Sequence, residues 1–144
     1  MSILLAAALA QAAGSITFEI GNVRSARGKV LVAVCTQDKF LKEACAYHGE
    51  TPARTGSVSV TVPNVPAGTY AAQAFHDENA NDQVDRNFIG IPKEGVGFSR
   101  DARINFGPPK WRDAQFVHSG APATQRLRLR YMMGQSGPVQ RRGR

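Results

Sequence analysis

The stretch TGSVSVTV, residues 55–62, decides the fold class, because apolar and polar side chains alternate strictly along it. Val58, Val60 and Val62 share one parity, and serine or threonine occupies each position between them. Successive side chains of a β-strand point to opposite faces. The alternation therefore predicts a strand with one buried face and one face exposed to water.

The same period of two recurs elsewhere in the chain. The segment KVLVAVCT, residues 29–36, is apolar on both faces, which predicts a strand near the centre of a sheet. The segment QRLRLRYMM, residues 125–133, alternates between an apolar face and an arginine face. Across the chain, these patterns predict the buried residues Ile16, Phe18, Ile20, Val30, Val32, Val34, Leu127, Leu129 and Tyr131.

Proline and glycine mark the connections. Pro63 and Pro66 cannot donate to a strand ladder, so they predict a connection, and residues 70–75 then form a strand that runs into an acidic loop. Residues 37–45 are expected to form one helical turn or a wrapped loop. In this segment, Phe40 and Leu41 are expected to point inward. Further along the chain, we expect short strands around Ile104 and Phe116.

Short strands, regularly spaced turn signals and the lack of a long helical pattern predict an all-β fold. We expect a single antiparallel, Ig-like (prealbumin-like) β-sandwich of about seven strands, since 144 residues suit one domain. The expected divisions are a signal-peptide remnant at residues 1–13, the sandwich domain at 14–133 and a flexible basic tail at 134–144.

The first residues resemble a secretory signal. An apolar run from Ile3 to Ala10 precedes small residues with an Ala-Gln-Ala pattern, although a positively charged start is missing. The run is shorter than the roughly 20 residues that span a bilayer. We therefore expect export to the periplasm or cell envelope and no transmembrane segment. The alternative is a frayed apolar N-terminus.

Cys35 and Cys45 are the only cysteines in the chain. An even pair in an exported protein predicts one disulfide. The pair lacks the close spacing of a thiol redox motif, and two cysteines alone do not make a zinc site. We expect the bond to have a structural role.

The net charge of +7 comes largely from arginines after residue 125, a stretch without acidic residues. The rest of the chain is nearly neutral, so no basic face for nucleic acid is expected. Arg126, Arg128 and Arg130 form a basic ridge on one strand. The ridge could bind polyanions or envelope lipids. Alternatively, it protects an edge strand from aggregation.

The stretch FHDENANDQVDRNFIG, residues 75–90, resembles part of a calcium-binding loop, in which alternate oxygen-bearing side chains turn toward one centre. Two positions depart from that pattern: Asp82 replaces the usual glycine, and Phe88 replaces the closing glutamate. Glu94 or Asp82 could supply the missing carboxylate. The predicted structural Ca²⁺ ligands are Asp77, Asn79, Asn81, Gln83, Asp85 and Glu94. The alternative is an Asx-rich surface turn.

An enzymatic alternative uses His76, Asp77 and Glu78 as the acid–base or metal groups of a hydrolase. A histidine at the end of a strand is more often structural, and the chain has no nucleophile-elbow, Walker-type or dinucleotide motif. We therefore expect a non-enzymatic protein without catalytic or cofactor-binding residues.

The segment from Pro66 to Phe116 resembles the core signature of the bacterial family known as domain of unknown function 2141. The resemblance is carried by His76–Asn79, Asn87-Phe88, Gly90–Gly95, Gly97–Ser99 and Phe106–Pro109. It implies an exported Ig-like sandwich and assigns no activity. Residues 62–75 are more faintly similar to carboxypeptidase-regulatory and transthyretin-like sandwich domains.

Together, the residues and the resemblance predict an exported binding or structural module that is a monomer. Its expected partner is an unknown protein or envelope ligand, not nucleic acid.

Overall fold

The computed structural model of the protein describes residues 13–42, 45–79, 94–104, 107–132, 134 and 136–138. Within these residues the chain forms eight strands. They are β1 (Ala13–Val23), β2 (Lys29–Cys35), β3 (Tyr47–Pro52), β4 (Gly56–Pro66), β5 (Gly68–Asp77), β6 (Val96–Phe98), β7 (Phe116–His118) and β8 (Ala123–Arg128). A 3-10 turn at Ser99–Asp101 follows β6, and a single helical turn, α1 (Trp111–Ala114), precedes β7.

The strands form two sheets. One has the order β4-β1-β8, and the other has the order β3-β2-β5-β6, with β7 beside the start of β5. The predicted all-β fold is confirmed, with eight described strands where about seven were expected. The expectation that all strands are antiparallel is wrong for β1 and β8, which pair in parallel. The sequence pattern of a strand specifies its faces but not the direction of its neighbour.

The core lies between the sheets, at the positions that the alternation predicts. Phe18 of β1, Val60 of β4 and Leu129 beyond β8 are fully buried, as is Val30 of β2. Burial of a side chain of this kind contributes roughly 1.5–3 kcal/mol relative to leaving it exposed. The residues predicted to be buried in β1, β2 and the last strand are all buried.

Two close approaches join the sheets at their margins. Val96 and Arg130 exchange backbone hydrogen bonds of 3.0 and 2.8 Å, which ties β6 to the segment after β8. At the opposite margin, a Cβ atom on Gly49 would lie 2.4 Å from the carbonyl oxygen of Thr61, so β3 lies directly against β4. The first junction brings Tyr131 to the ends of β5 and β6.

Several local expectations need correction. Pro63 and Pro66 lie within β4, which tolerates proline because it is at the edge of its sheet. Leu41 is exposed and has a φ of 64°, whereas its neighbour Phe40 is buried as predicted. Ile104 lies outside the strands, although Phe116 begins β7.

The predicted disulfide between Cys35 and Cys45 is present. It adjoins a second, smaller apolar cluster on the outer side of the β2–β5 sheet. In this cluster the Phe40 ring contacts Phe98 and Trp111 edge-on, with ring centroids 6.0 and 5.8 Å apart. The disulfide therefore fixes the loop that covers this part of the sheet.

The predicted terminal segments are described only in part. Residues 1–12 lie outside the described residues. β1 begins at Ala13, the last residue of the predicted signal-peptide remnant. In the predicted tail, the carbonyl of Ser136 accepts a hydrogen bond of 2.8 Å from the side chain of Asn22, while residues 139–144 lie outside the described part. Among the described residues, no helix has the length and apolar character needed to cross a membrane.

Candidate functional site

A cluster of polar side chains lies where β5 ends. The loop between β5 and β6, residues 78–95, leaves and re-enters the sheet at this point, because these strands are antiparallel neighbours. The backbone N–H of His76 donates to the carbonyl of Gly95 at 2.9 Å, one residue beyond the paired strands. The turn after β1 and the side chain of Tyr131 complete the surroundings.

His76 lies at the centre of the cluster and is completely buried. Its Nε2 is 2.7 Å from the carbonyl oxygen of Arg27, and its Nδ1 is 2.9 Å from the hydroxyl of Tyr131. A carbonyl can only accept, so Nε2 carries the proton and donates to Arg27. Both ring nitrogens are therefore engaged by the protein.

The hydroxyl of Tyr131 sets the direction of this chain of hydrogen bonds. It accepts from the backbone N–H of Arg24 at 2.9 Å. It also lies 2.9 Å from Nδ1 of His76 and can donate its own proton there when that nitrogen carries none. The bonds thus run from Arg24 through Tyr131 and His76 to Arg27, with every participating atom satisfied.

Glu78 anchors the beginning of the loop through its carboxylate. Arg24 Nε donates to Oε1 at 3.1 Å and to Oε2 at 3.2 Å, Nη2 also donates to Oε1, and the Ser25 hydroxyl donates to Oε2 at 2.9 Å. Burial raises the pKa of Glu78, but the hydrogen bonds from Arg24 and Ser25 and the charge of Arg24 outweigh this effect and lower it below its usual value. The carboxylate is therefore held in its charged form.

Arg24 and Tyr131 also contact each other directly. The guanidinium carbon lies 4.5 Å from the centre of the Tyr131 ring, which is cation–π geometry. Burial of Tyr131 raises its pKa to about 12, so the hydroxyl keeps its proton. On the other side of the ring, Gly95 is required, because a Cβ atom there would lie 2.5 Å from the aromatic carbons.

Glu94 anchors the end of the loop. Its Oε2 accepts the backbone N–H of Glu78 at 2.6 Å, so a buried carboxylate links the two ends across the intervening residues. Asp77, next to this bond, is also completely buried. The carbonyl of Asp77 packs against Gly28, which has a φ of 69° and where a Cβ atom would lie 1.9 Å from that oxygen.

The predicted metal ligands are only partly described. Glu94 lies at the base of the loop, where it accepts the backbone N–H of Glu78; Asp77 precedes Glu78 in the chain and Asn79 follows it. Asn81, Gln83 and Asp85 lie outside the described residues, as do Asp82 and Phe88. In the described part of the chain, no group of three or more His, Cys, Asp or Glu side chains is placed to hold a metal ion.

The predicted arginine ridge is partly neutralised. Arg128 donates to Asp101 Oδ2 from Nη2 at 3.1 Å, and Arg130 reaches Oδ1 of the same carboxylate at 3.4 Å. Asp101 also accepts the backbone N–H of Arg128 at 3.0 Å, which covers part of the outer edge of β8. Arg126 forms no ion pair within the described residues.

Sequence reasoning missed Arg24, Ser25 and the role of the Tyr131 hydroxyl. One signal was available: His76 has the same strand parity as Tyr70, Ala72 and Ala74, which predicts that it faces the core. A buried histidine and a buried tyrosine each need hydrogen-bond partners. No sequence pattern indicated that they would satisfy each other.

In the comparison with protein families, residues 18–126 match the model of the family described as "Uncharacterized protein conserved in bacteria (DUF2141)". The match covers most of the chain, so this protein belongs to the DUF2141 family, as the resemblance predicted. No curated protein and no solved structure matches the chain.

Proposed function

We propose that this member of the DUF2141 family is an exported, non-enzymatic binding module with an Ig-like sandwich. Its contact surface is the β5–β6 loop, whereas the adjoining residues Gly97, Phe98 and Ser99 are buried. The facing sheets around one core support the sandwich type. The disulfide suits an oxidising compartment and supports export.

The observation that carries the proposal is the anchoring of both ends of the loop to one hydrogen-bonded frame, in which His76 and Glu94 are buried and Arg24, Ser25 and Glu78 are half-buried. Glu78 is held by Arg24 and Ser25, and Glu94 binds the backbone of Glu78. Binding residues are commonly carried on loops that a rigid scaffold positions. A frame of hydrogen bonds and an ion pair gives this loop such a scaffold.

The engagement of His76 favours binding over catalysis. A general acid or base must reach the proton that it transfers, either directly or through one water. His76 is fully buried, and its two nitrogens bind Arg27 and Tyr131. Glu78 is similarly occupied by Arg24 and Ser25. The groups that the enzymatic hypothesis requires are thus used to hold the frame.

Calcium is part of the proposal as a structural ion of the loop. Asp77 and Glu94 bring two buried carboxyl groups to the base of the loop, and carboxylate and amide oxygens are the ligands that Ca²⁺ prefers. The expected remaining ligands are Asn79, Asn81, Gln83 and Asp85. Their alternate spacing, with the carboxylates at the base, supports the assignment.

Thermal melting of the full chain with Ca²⁺ and with a chelator tests this function. Extracellular calcium modules bind with dissociation constants of about 10⁻⁴–10⁻³ M. Ten- to hundredfold excess over that constant stabilises the folded state by about 1.4–2.7 kcal/mol, or roughly 3–10 °C for a domain of this size. Asp77→Asn and Asp85→Asn should each reduce the shift strongly.

Asp113→Asn is the matched control, because Asp113 is exposed on α1. The control should keep the full shift. An equal melting temperature with chelator and with Ca²⁺ at tenfold or greater excess over about 10⁻³ M would remove calcium from the proposal. The non-enzymatic assignment would be overturned by a hydrolase activity of the purified chain that is lost in the Glu78→Gln variant while that variant remains folded.

A further inference from the structure

The outer face of the β4-β1-β8 sheet carries a regular array of polar side chains. The strand register places residues of β4, β1 and β8 side by side in rows. Across the sheet, the rows are Thr61, Thr17 and Thr124, then Ser59, Glu19 and Arg126, then Ser57, Gly21 and Arg128. Apart from Gly21, each position carries a hydroxyl or a charge, so this face offers many hydrogen bonds.

A depression of about 560 Å³ opens in this face near Gly21, which has no side chain to fill the row. Residues that line it include Glu19, Ser57, Asp101, Arg126 and Arg128. The stem of Arg128 forms one wall, since a Cβ atom on Gly21 would lie 3.5 Å from its Cγ. Small-molecule sites have volumes of about 300–1,000 Å³, so the depression has a suitable size.

The charges around the depression are not equally available. Asp101 is occupied by Arg128 and Arg130, and Glu19 accepts the hydroxyl hydrogen of Ser59. Arg126 is exposed and forms no ion pair in the described part of the chain. The face therefore presents one available guanidinium beside a carboxylate and several hydroxyls.

We propose that this depression binds an acidic saccharide, with Arg126 binding the sugar carboxylate. A guanidinium presents two parallel N–H groups that match a carboxylate. Glu19 can accept hydrogen bonds from ring hydroxyls, and Ser57 can donate or accept. A bare anion would gain nothing from Glu19, whereas a ligand with both a carboxylate and hydroxyl groups can bind Arg126, Glu19 and Ser57.

The inference rests on the proposed function only in placing the protein outside the cytoplasm, where acidic saccharides are available. It does not involve the β5–β6 loop or calcium. If Ca²⁺ has no effect, the saccharide proposal is unaffected. If no saccharide binds, the proposal for the β5–β6 loop is unaffected. The binding sites lie on different sheets.

The proposal is tested by titrating the full chain with a galacturonic acid trisaccharide. Binding is measured by calorimetry and by changes in amide chemical shifts. Binding is expected at millimolar concentration, with shifts centred on Glu19, Gly21 and Arg126. Arg126→Gln should weaken it about tenfold or more, the effect of losing one hydrogen-bonded charge pair. Arg112→Gln, which removes an exposed arginine on α1, should leave binding unchanged.

Results of three kinds would overturn the proposal. The first is the absence of binding at millimolar trisaccharide. The second is equal binding of a neutral glucose trisaccharide, which would show that the carboxylate is not recognised. The third is an equal loss in Arg126→Gln and Arg112→Gln, or equally strong binding of inorganic phosphate, either of which would indicate attraction by net charge alone.

Discussion

Tyr131→Phe is the most selective test of the hydrogen-bonded frame at the end of β5. The substitution keeps the ring, its packing on Gly95 and its contact with Arg24, and it removes only the hydroxyl. That hydroxyl accepts the backbone N–H of Arg24 and is the hydrogen-bond partner of His76 Nδ1. The variant therefore isolates two hydrogen bonds from the apolar contribution of the side chain.

The expected cost follows from burial. A buried polar group left without its partner costs about 1–3 kcal/mol. His76 is completely buried and should contribute most of this, while the Arg24 amide is only partly buried. The free energy of unfolding should fall by roughly 2–4 kcal/mol, a large share of the typical 5–15 kcal/mol.

Urea unfolding followed by fluorescence or circular dichroism measures this change. With a slope of about 2 kcal/mol/M, the midpoint should fall by roughly 1–2 M. Tyr70→Phe is the matched control, because its hydroxyl makes a single bond of 2.8 Å to the carbonyl of Pro66 and should cost only about 1 kcal/mol. If Tyr131→Phe costs no more than Tyr70→Phe, the hydrogen-bond chain through His76 does not stabilise the fold.

Three further variants test neighbouring features. Gly28→Ala should lower the free energy of unfolding by roughly 2–5 kcal/mol, because a side chain there meets the Asp77 carbonyl in a left-handed conformation. Replacing Cys35 and Cys45 by serine should cost about 2.7 kcal/mol, the chain entropy of a loop with a separation of 10 residues. Because the pKa of Glu78 is lowered in the folded state, its ionised carboxylate contributes to the free energy of unfolding above the unfolded pKa of about 4.5. This contribution is lost as the pH falls through the folded pKa. Glu78→Gln should therefore reduce the loss of stability with falling pH.

Each of these has a result that would contradict it. The Gly28 prediction is contradicted if Gly28→Ala lowers the free energy of unfolding no more than Gly56→Ala does. At Gly56 φ is also positive, but no atom lies within 4 Å of the added Cβ. For the disulfide, the contradicting result is an unchanged urea midpoint after reduction. For Glu78, it is an acid limb between about pH 5 and pH 3 that is equally steep in the variant and the parent.

The strands that bury one face could be predicted from sequence, because alternation reports burial directly. Val58, Val60 and Val62 lie in such a strand and face the core. β3, residues 47–52, was missed because it contains glycine, proline and the charged Glu50 and has no fully buried position. β6 was missed because it has only three residues. Edge and very short strands depend on partners that the local pattern does not encode.

The metal-ligand roles of the predicted site residues stay a prediction, and the structure gives only the positions of some of them. Asp77 and Glu94 were assigned to the same site, and both lie at the base of the loop near Glu78. Arg24 and Tyr131 were missed because their contacts join distant parts of the chain through two sheets. Such contacts follow from the topology, and in particular from the junction between β6 and the segment after β8.

The exchange rate of the Glu78 backbone amide tests the central claim, which is that a hydrogen-bonded frame fixes both ends of the β5–β6 loop. This amide donates to Glu94 Oε2 at 2.6 Å. Hydrogen exchange measured by NMR should show protection similar to that of the core strands, and Glu94→Gln should reduce that protection while leaving amides of β1 unchanged. A Glu78 amide that exchanges as quickly as exposed turn residues would contradict the claim.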